Sequence, residues 1–411
     1  MCSVFVPARL RHHYSIDKIE SLAVDGLLSA ARCVRGVDNS MGTAEITPVK
    51  NTKELREFVA LPYQLYREDP YWVQPLWTTQ KRLFESHDHP FYRHGEIQCF
   101  LARREGRPVG RIAAILDHDS NRVHKESAGF FGFFESINDL EVSRALLEGA
   151  SNWVSGRGAR FIRGPMNPSA NYECGLLVEG FASPPQIMMT YNPQYYAGLL
   201  EGAGFRRAKD LYSFYLSADE LVVERAERIA QHALETKGVR IRPIEMKNFE
   251  SEAQRVWEVY NAAWSSNWGF VPMTREEFFF LARELKDIAV PDLVLMAEVS
   301  GHLIGFLLAL PDINQALGHT RSRFLPLLVF NVLYHKRAIR SMRVVLLGVL
   351  EEFRTMGVTA ALCTETIRRG VRLGYHDCEM SWVLDDNLLM IRSIESLGGR
   401  RFKTYRIYER E

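Results

Sequence analysis

The sequence has no surplus of either charge. Among its 411 residues, 51 lysines and arginines face 50 aspartates and glutamates, for a net charge of +1. The global basic field that holds nucleic acid is therefore missing, and any electrostatic recognition has to be local. There is also no run of eighteen apolar residues, the length a bilayer-spanning helix needs. The six cysteines, Cys2, Cys33, Cys99, Cys174, Cys363 and Cys378, form no CxxC pair. This argues against both a zinc site and a secreted disulfide framework, and a reducing cytoplasm fits best. No metal is expected: the histidine-rich stretch SHDHPFYRH (Ser86 to His94) is broken by Pro90, so its side chains share no helical face. The first twenty residues lack the continuous apolar segment of a signal peptide. Residues 1–42 differ in character from the rest and are expected to be a flexible leader or a mis-assigned start, with Met41 as an alternative initiator.

What is present is an ordinary soluble composition, 46% hydrophobic and 25% charged, long enough for two or three domains. A weak internal repeat organises it. The first copy runs EITPVKNTKELREFV, CFLARREGRPVGRIAAI, FFGFFES, LEVSRALLEGASNWV and YNPQYYAGLLEGAGFRRAKDLYSFYL. The second runs VRIRPIEMKNFESEAQRVWEVY, LVLMAEVSGHLIGFLLAL, RVVLLGV, TAALCTETIRRGVRLGY and DNLLMIRSIESLGGRRFKTYRIYER. Each reads as strand, helix, a hairpin with a Gly turn, strand, helix, strand, and a helix ending in a small-residue and Gly signal. The expected fold class is α/β with mixed sheets in two tandem domains, residues 43–217 and 238–411, joined by a helical connector over 218–237.

The stretch EEFRTMGVTAAL (Glu351 to Leu362) follows an apolar, β-branched strand and opens a helix-like run. A turn of that kind aims unpaired backbone N–H groups beyond the helix start, where anions bind. Together with DDNLLMIRSIESLGG near the C-terminus and the order of elements, it resembles the GCN5-related N-acetyltransferase (GNAT) superfamily, present twice in tandem. Arg354, Gly357 and Thr359 occupy the places of that superfamily's pyrophosphate-loop motif, with Thr359 where the family has Gly or Ala. Asn387 and Leu397-Gly398 match its second signature, with Gly399 where the family has an aromatic. More narrowly, FFGFFES, NYECGLLVEGF, MMTYNPQYY and EMSWVLDDN resemble a bacterial tandem group that includes ceramide synthase-like acyltransferases. About 370 residues are covered.

The resemblance implies an acyl-CoA co-substrate, an amine acceptor and a site in the second domain. The loop residues Arg354, Thr355, Met356, Gly357, Val358 and Thr359 would meet the diphosphate, Leu347 and Val349 on the preceding strand would pair with pantetheine, and Asn387 belongs to the second motif. The amine must lose a proton, since a lysine-like amine has a pKa of about 10.4. Glu379 in the strand CEMSWVL is the first candidate for the base, on one face with Ser381 and Val383. The tyrosine that many relatives place on the last helix is replaced by Ile394 here and by Leu200 in the first copy. The first copy also lacks the Arg-x-x-Gly loop, so it is expected to bind no CoA. Its long segment Gly164 to Tyr196, with two Asn-Pro steps and interleaved aromatic and Met residues, reads as a pocket wall or as interdomain packing. Glu173 and Tyr191 are its expected polar participants. Cys174 has no patterned histidine partner to make it a nucleophile.

Between Asp312 and Glu351 there is no acidic residue, while Arg321, Arg323, Lys336, Arg337, Arg340 and Arg343 flank the apolar run Phe324 to Tyr334. A buried helix with solvated cations is one reading. The other is an interfacial segment touching the inner face of the cytoplasmic membrane through 321–343. The expected function is acyl-CoA-dependent N-acylation with a long-chain donor, the acceptor being a sphingoid base or another amine and no nucleic acid being involved. Acetyl transfer to a small amine or peptide, and a non-catalytic acyl-CoA sensor, remain as alternatives.

Overall fold

The computed structural model describes residues 43–85, 89–317 and 338–411. The expectations for residues 1–42 and for most of the basic segment 321–343 lie outside them. The first half contains strand β1 (Glu45–Pro48), helix α1 (Thr52–Ala60), β2 (Gly95–Arg104), β3 (Arg107–Asp117), β4 (Ala128–Ser136), α2 (Leu140–Ser155) and β5 (Phe161–Gly164). Short strands β6 (Met166–Asn167), β7 (Glu173–Cys174) and β8 (Leu176–Glu179) follow, then α3 (Tyr196–Gly202) and β9 (Arg206–Ser217). Helix α4 (Glu224–Thr236) leads to β10 (Val239–Pro243), α5 (Phe249–Ala263), α6 (Arg275–Lys286), β11 (Val294–Val299), β12 (His302–Pro311) and β13 (Ser341–Val349). The chain closes with α7 (Val358–Arg372), β14 (Asp377–Leu384), α8 (Leu388–Ser396) and β15 (Arg400–Arg410).

Local chemistry explains the repeat. Glu105-Gly106 between β2 and β3, and Ser300-Gly301 between β11 and β12, all have positive φ. This is the two-residue type I′ geometry, whose twist matches that of the strands it joins. Helix starts are capped by short polar side chains: Asn51 accepts from the Glu54 N–H at 3.0 Å, and Thr274 from the Glu277 N–H at 3.2 Å.

The thirteen-stranded sheet runs β1-β2-β3-β4-β5-β15-β9-β14-β13-β12-β11-β10, with β8 also on β15. Each half therefore gives its last strand to the other. β15 pairs with β5 from Tyr408↔Gly164 to Arg410↔Ile162, and β9 pairs with β14 from Asp377↔Ser217 to Leu384↔Leu211. The two exchanged strands lie antiparallel side by side at the centre. Tyr408 is consequently buried in the core under α2, and Phe214 in the core beneath α4 and α7. Full burial of a side chain of this size is worth about 1.5–3 kcal/mol, so neither core is complete without the other half. Ala44–Glu411 accordingly form one compact unit.

A second link comes from the long segment after β8. The Arg343 guanidinium, 2% exposed, donates to the carbonyls of Ile187 and Met188 (2.9 Å each), to Ser381 Oγ at 2.9 Å and to Ser381 O at 3.1 Å. Asp312 accepts from the Ile187 N–H at 2.9 Å, Gln186 donates to Ser341 Oγ at 2.7 Å, and Lys403 Nζ donates to the carbonyls of Gly180 and Ser183 at 2.9 Å each. A further cross-link holds His94 of the first half between Asp117 (3.2 Å) and Glu277 of α6 (3.3 Å). Burial opposes the charge on His94, but the two carboxylates overcome it and push its pKa up to about 10.

Two outcomes are expected. A chain stopped after Gly399 should be insoluble or lack a cooperative melt, because β5 and β9 become open edges; a soluble product that melts cooperatively would count against the exchange. Arg343→Met should lower unfolding stability by about 3 kcal/mol or more in denaturant titration, because it strands the carbonyls and carboxylates around it. A loss below about 1 kcal/mol would show that the loop is held by other means.

Candidate active site

In the second half, β13 and β14 pair in parallel only from Ser341↔Asp377 to Val344↔Met380. Both strands continue past that point without each other. The β12–β13 register shifts between Leu308 and Ala309, leaving Val345 unopposed, and such a bulge bends and twists its strand. On its other edge β14 stays with β9 at both ends, from Asp377↔Ser217 to Leu384↔Leu211. A V-shaped gap thus opens beside Val345–Val349. Beyond it, Glu351–Met356 form a 3-10 turn, and Gly357 (φ 82°) starts α7 with no side-chain cap. The first-turn N–H groups and the positive end of the helix are left for a ligand.

The side chains of this segment are used to build it. Arg354 donates to the carbonyls of Ala263 (2.7 Å) and Val349 (3.3 Å), tying the strand end to α5. Val358 and Val349 are buried and Leu347 is half-buried in the adjoining core. Thr355 is exposed, while Met356 and Thr359 are half-buried. A Cβ on Gly357 would lie 2.9 Å from Ile229 Cγ2 and 3.2 Å from Ala233 Cβ, both on α4. The connector helix thus packs against this turn. Asn387 caps α8 by accepting from the Met390 N–H at 3.2 Å.

The first half has the same opening but fills it. β4 and β5 pair only from Ala128↔Phe161 to Phe130↔Arg163. Into the gap comes β6, so close that a Cβ on Gly132 would meet the Met166 carbonyl oxygen at 1.8 Å. Asn167 Oδ1 takes the Phe133 N–H at 2.7 Å. The helix that follows is sealed as well: Asp139 accepts from the N–H groups of Glu141 (2.9 Å) and Val142 (3.3 Å), and Arg104 binds Asp139 at 2.7 Å.

A cavity of about 780 Å³ joins the two halves. That is within the range of small-molecule sites, roughly 300–1,000 Å³. Val345 and Leu346 line it from the open gap, Phe133 and Glu135 from the plugged one, and Met188, Met189 and Tyr191 from the long segment, with α5 and α6 opposite. Glu173 lines it too. Among the described residues nothing hydrogen-bonds the Glu173 carboxyl; burial raises its pKa above the usual carboxylate range, and only Arg343 pulls it back. Tyr191 lines the wall with its hydroxyl donated to Asp69 at 2.9 and 3.0 Å, and burial followed by that carboxylate raises its pKa. Cys174 is buried, its thiol pushed up to about 12 by desolvation, which keeps it protonated and a poor nucleophile.

Glu379 is placed elsewhere. It is 0% exposed and outside the cavity lining, with Oε1 accepting from Ser381 Oγ at 3.0 Å and Oε2 without a partner. The Arg343 side chain, bonded to Ser381 and to the Ile187 and Met188 carbonyls, stands on its side of the strand, so Glu379, the expected base candidate, is closed off from the cavity that Glu173 lines. In the histidine-rich stretch, His87 lies outside the described residues. His89 is buried, lines the cavity, accepts from the Phe91 N–H at 3.4 Å and is held neutral by desolvation at about 4. The sequence reading also missed a polar group on the cavity wall, Arg111 and Glu135, which face each other on β3 and β4. Their signal was a single charge inside each of two apolar strands, RIAAIL and FFGFFES.

No protein-family model matches the chain. Over 380 residues it is 34% identical to a bacterial ceramide synthase of Caulobacter vibrioides (strain NA1000 / CB15N), covering 91% of this chain and 99% of that one. Over 367 residues it is 33% identical to protein YghO of Escherichia coli K12, covering 88% and 94%. Among solved structures, a tandem GNAT protein from the clavulanic acid biosynthesis pathway superposes with a TM-score of 0.53 at 13% identity, covering 90% of this chain and 98% of that one. The glucosamine N-acetyltransferase region of a fungal multidomain GH3 β-N-acetylglucosaminidase gives 0.52 at 14% identity, covering 91% and 39%. The α/β fold is thus that of tandem GNAT proteins, and with a 34% identical relative aligned along 91% of its length the chain belongs to the N-acyltransferase family that includes the bacterial ceramide synthase of Caulobacter vibrioides.

Proposed function

We propose that this enzyme transfers a long acyl chain from acyl-CoA to the amino group of a sphingoid-type acceptor, making a ceramide-like amide, with donor and acceptor meeting in the single cavity between the halves. The observation that carries this reading is the asymmetry of the two gaps. One is plugged by Asn167 and sealed by Asp139, while the other is open onto an uncapped helix and an apolar cavity. The donor then lies along Val345–Val349, Leu347 and Val349 offering backbone groups to pantetheine as an added strand would find them. The diphosphate meets the N–H groups from Gly357 to Thr359. Arg354, Thr355, Met356 and Val358 hold that turn in shape, and Asn387 fixes the neighbouring helix.

Glu173 is the proposed general base. A carboxylate with no hydrogen bond and a raised pKa can take the amine proton, whereas one held by several donors is a weak base. The nitrogen attacks the thioester carbonyl, its proton passes to Glu173, and the C–S bond breaks to release the CoA thiolate. Tyr191 lines the same cavity and carries a hydroxyl able to orient the acceptor. The identity of the donor and acceptor is drawn from the named relative and from the apolar cavity. An amine of that class resides in bilayers, so the enzyme would meet it at a membrane surface; no helix among the described residues is long and apolar enough to cross one.

Three measurements test this. Glu173→Gln should lower turnover by about 10²–10⁴ with donor affinity unchanged. In the parent enzyme kcat/KM should fall as acid protonates that carboxyl, with a midpoint above the ordinary range, and the variant should lose that limb; an acidic limb retained by an active variant would place the base elsewhere. Gly357→Val should weaken CoA binding at least about tenfold, because the turn needs a positive φ and the new side chain strikes α4. Palmitoyl-CoA should outcompete acetyl-CoA by several powers of ten, since each buried CH₂ is worth about 0.8 kcal/mol; acetyl preference would return the enzyme to small-amine acetylation.

A further inference from the structure

We infer that Arg111 and Glu135 form a separate subsite on the cavity wall, built to take a hydroxyl group of the amine acceptor. The inference rests on the acyl-transfer reading above and adds what the acceptor must carry besides its amine.

The two side chains face each other across the β3–β4 register and both line the cavity. Glu135 Oε2 is occupied, accepting from the hydroxyls of Tyr66 at 2.7 Å and Tyr196 at 2.8 Å. Its other oxygen has only Arg111 Nη2, at 3.6 Å, beyond a hydrogen bond. Arg111 is 4% exposed; its Nη1 donates to the Phe58 carbonyl at 2.9 Å, and its Nε has no partner. Glu135 Oε1 and Arg111 Nη2 therefore stand just beyond reach of each other, while Arg111 Nε is buried with no partner among the described residues. Polar groups left unmatched in a cavity wall favour a ligand that completes their hydrogen bonds.

The chemistry of the ligand follows from what satisfies both. An ammonium group would suit Glu135 Oε1 but be repelled by Arg111. A carboxylate or phosphate would suit Arg111 but be repelled by Glu135. A hydroxyl both donates and accepts: it can give its proton to Oε1 and receive an N–H from the guanidinium. Burial raises the pKa of Glu135 against the pull of Arg111 and the two tyrosine hydroxyls, and it is the occupation of Oε2 by those hydroxyls that leaves the pair to bind rather than to relay a proton. Its location explains why the acceptor amine would still be near Glu173. Asn167, which bonds the N–H of Phe133 two residues before Glu135, is the register partner of Glu173. The half that gave up its donor gap thus keeps a polar notch at the same place.

The test compares a long-chain amino alcohol with the alkylamine of equal chain length as acceptors for the full-length enzyme. The wild type should favour the amino alcohol by about a hundredfold or more in kcat/KM, because a site built around a hydroxyl rejects the analogue lacking it. In Glu135→Gln the tyrosines keep the amide oxygen and an N–H₂ replaces the free acceptor, so the preference should drop by at least about tenfold while the alkylamine rate stays within about threefold. The doubly neutral Arg111→Met/Glu135→Gln variant leaves no lone buried charge and should show the same loss of preference. A structural role alone would move both acceptors together. Equal wild-type turnover of the two amines, or an unchanged ratio in both folded variants, would overturn the subsite. Wild-type turnover of neither amine would overturn the acyl-transfer reading and the subsite with it.

Discussion

The open gap depends on one buried cation. Arg343 stands opposite Glu379, one position before the last β13–β14 pair, and its guanidinium binds the Ser381 carbonyl just past the point where the pairing ends. With Ser381 O and Oγ both bonded to a β13 side chain, β14 keeps β9 as its neighbour at both ends while its pairing with β13 stops at Met380. The same guanidinium fixes Ile187 and Met188, hence the wall that carries Tyr191, and supplies the positive field that opposes burial at Glu173. A charge so thoroughly hydrogen-bonded costs much to remove, whatever its net worth against an apolar replacement. The end of the strand pair, the pocket wall and the electrostatics of Glu173 thus meet at one residue.

Two copies of one fold have been put to different uses with few changes. In the first, a two-residue strand occupies the gap and an aspartate seals the helix start, so the elements persist as a wall. In the second, the bulge at Val345 and the glycine before α7 keep the site open. The cavity is formed by the pair and belongs to neither copy. This is why its polar groups come from strands, a long segment and two opposing helices that no single motif contains.

The repeat, the glycine hairpins, the connector helix and the Gly357 turn were legible because each rests on local chemistry: alternation, a positive-φ pair, a capping side chain. That the segment carrying Glu173 and Tyr191 would line a pocket was legible from its unusual composition. Glu379 was misjudged because a period of two says which residues share a face and says nothing of what covers that face; the cover, Ile187–Met188, is remote in sequence. The exchange of β9 and β15 left no trace either, since a central strand looks equally apolar in its own sheet or its neighbour's. Arg354 shows the same limit on a smaller scale, its place in the motif being clear while its partners, the carbonyls of Ala263 and Val349, were not.

The position of β15 has a consequence for how the protein is made. Gly164 leaves the ribosome well before its register partner Tyr408, since the whole second half lies between them. The first half must wait through the synthesis of the second with a strand edge and an unfinished core exposed, since its own last strand is destined for β14. Pairing so distant in sequence is slow to close even when both strands are available. The nascent chain therefore carries that open edge until the second half has been made, which is when such edges are prone to aggregate.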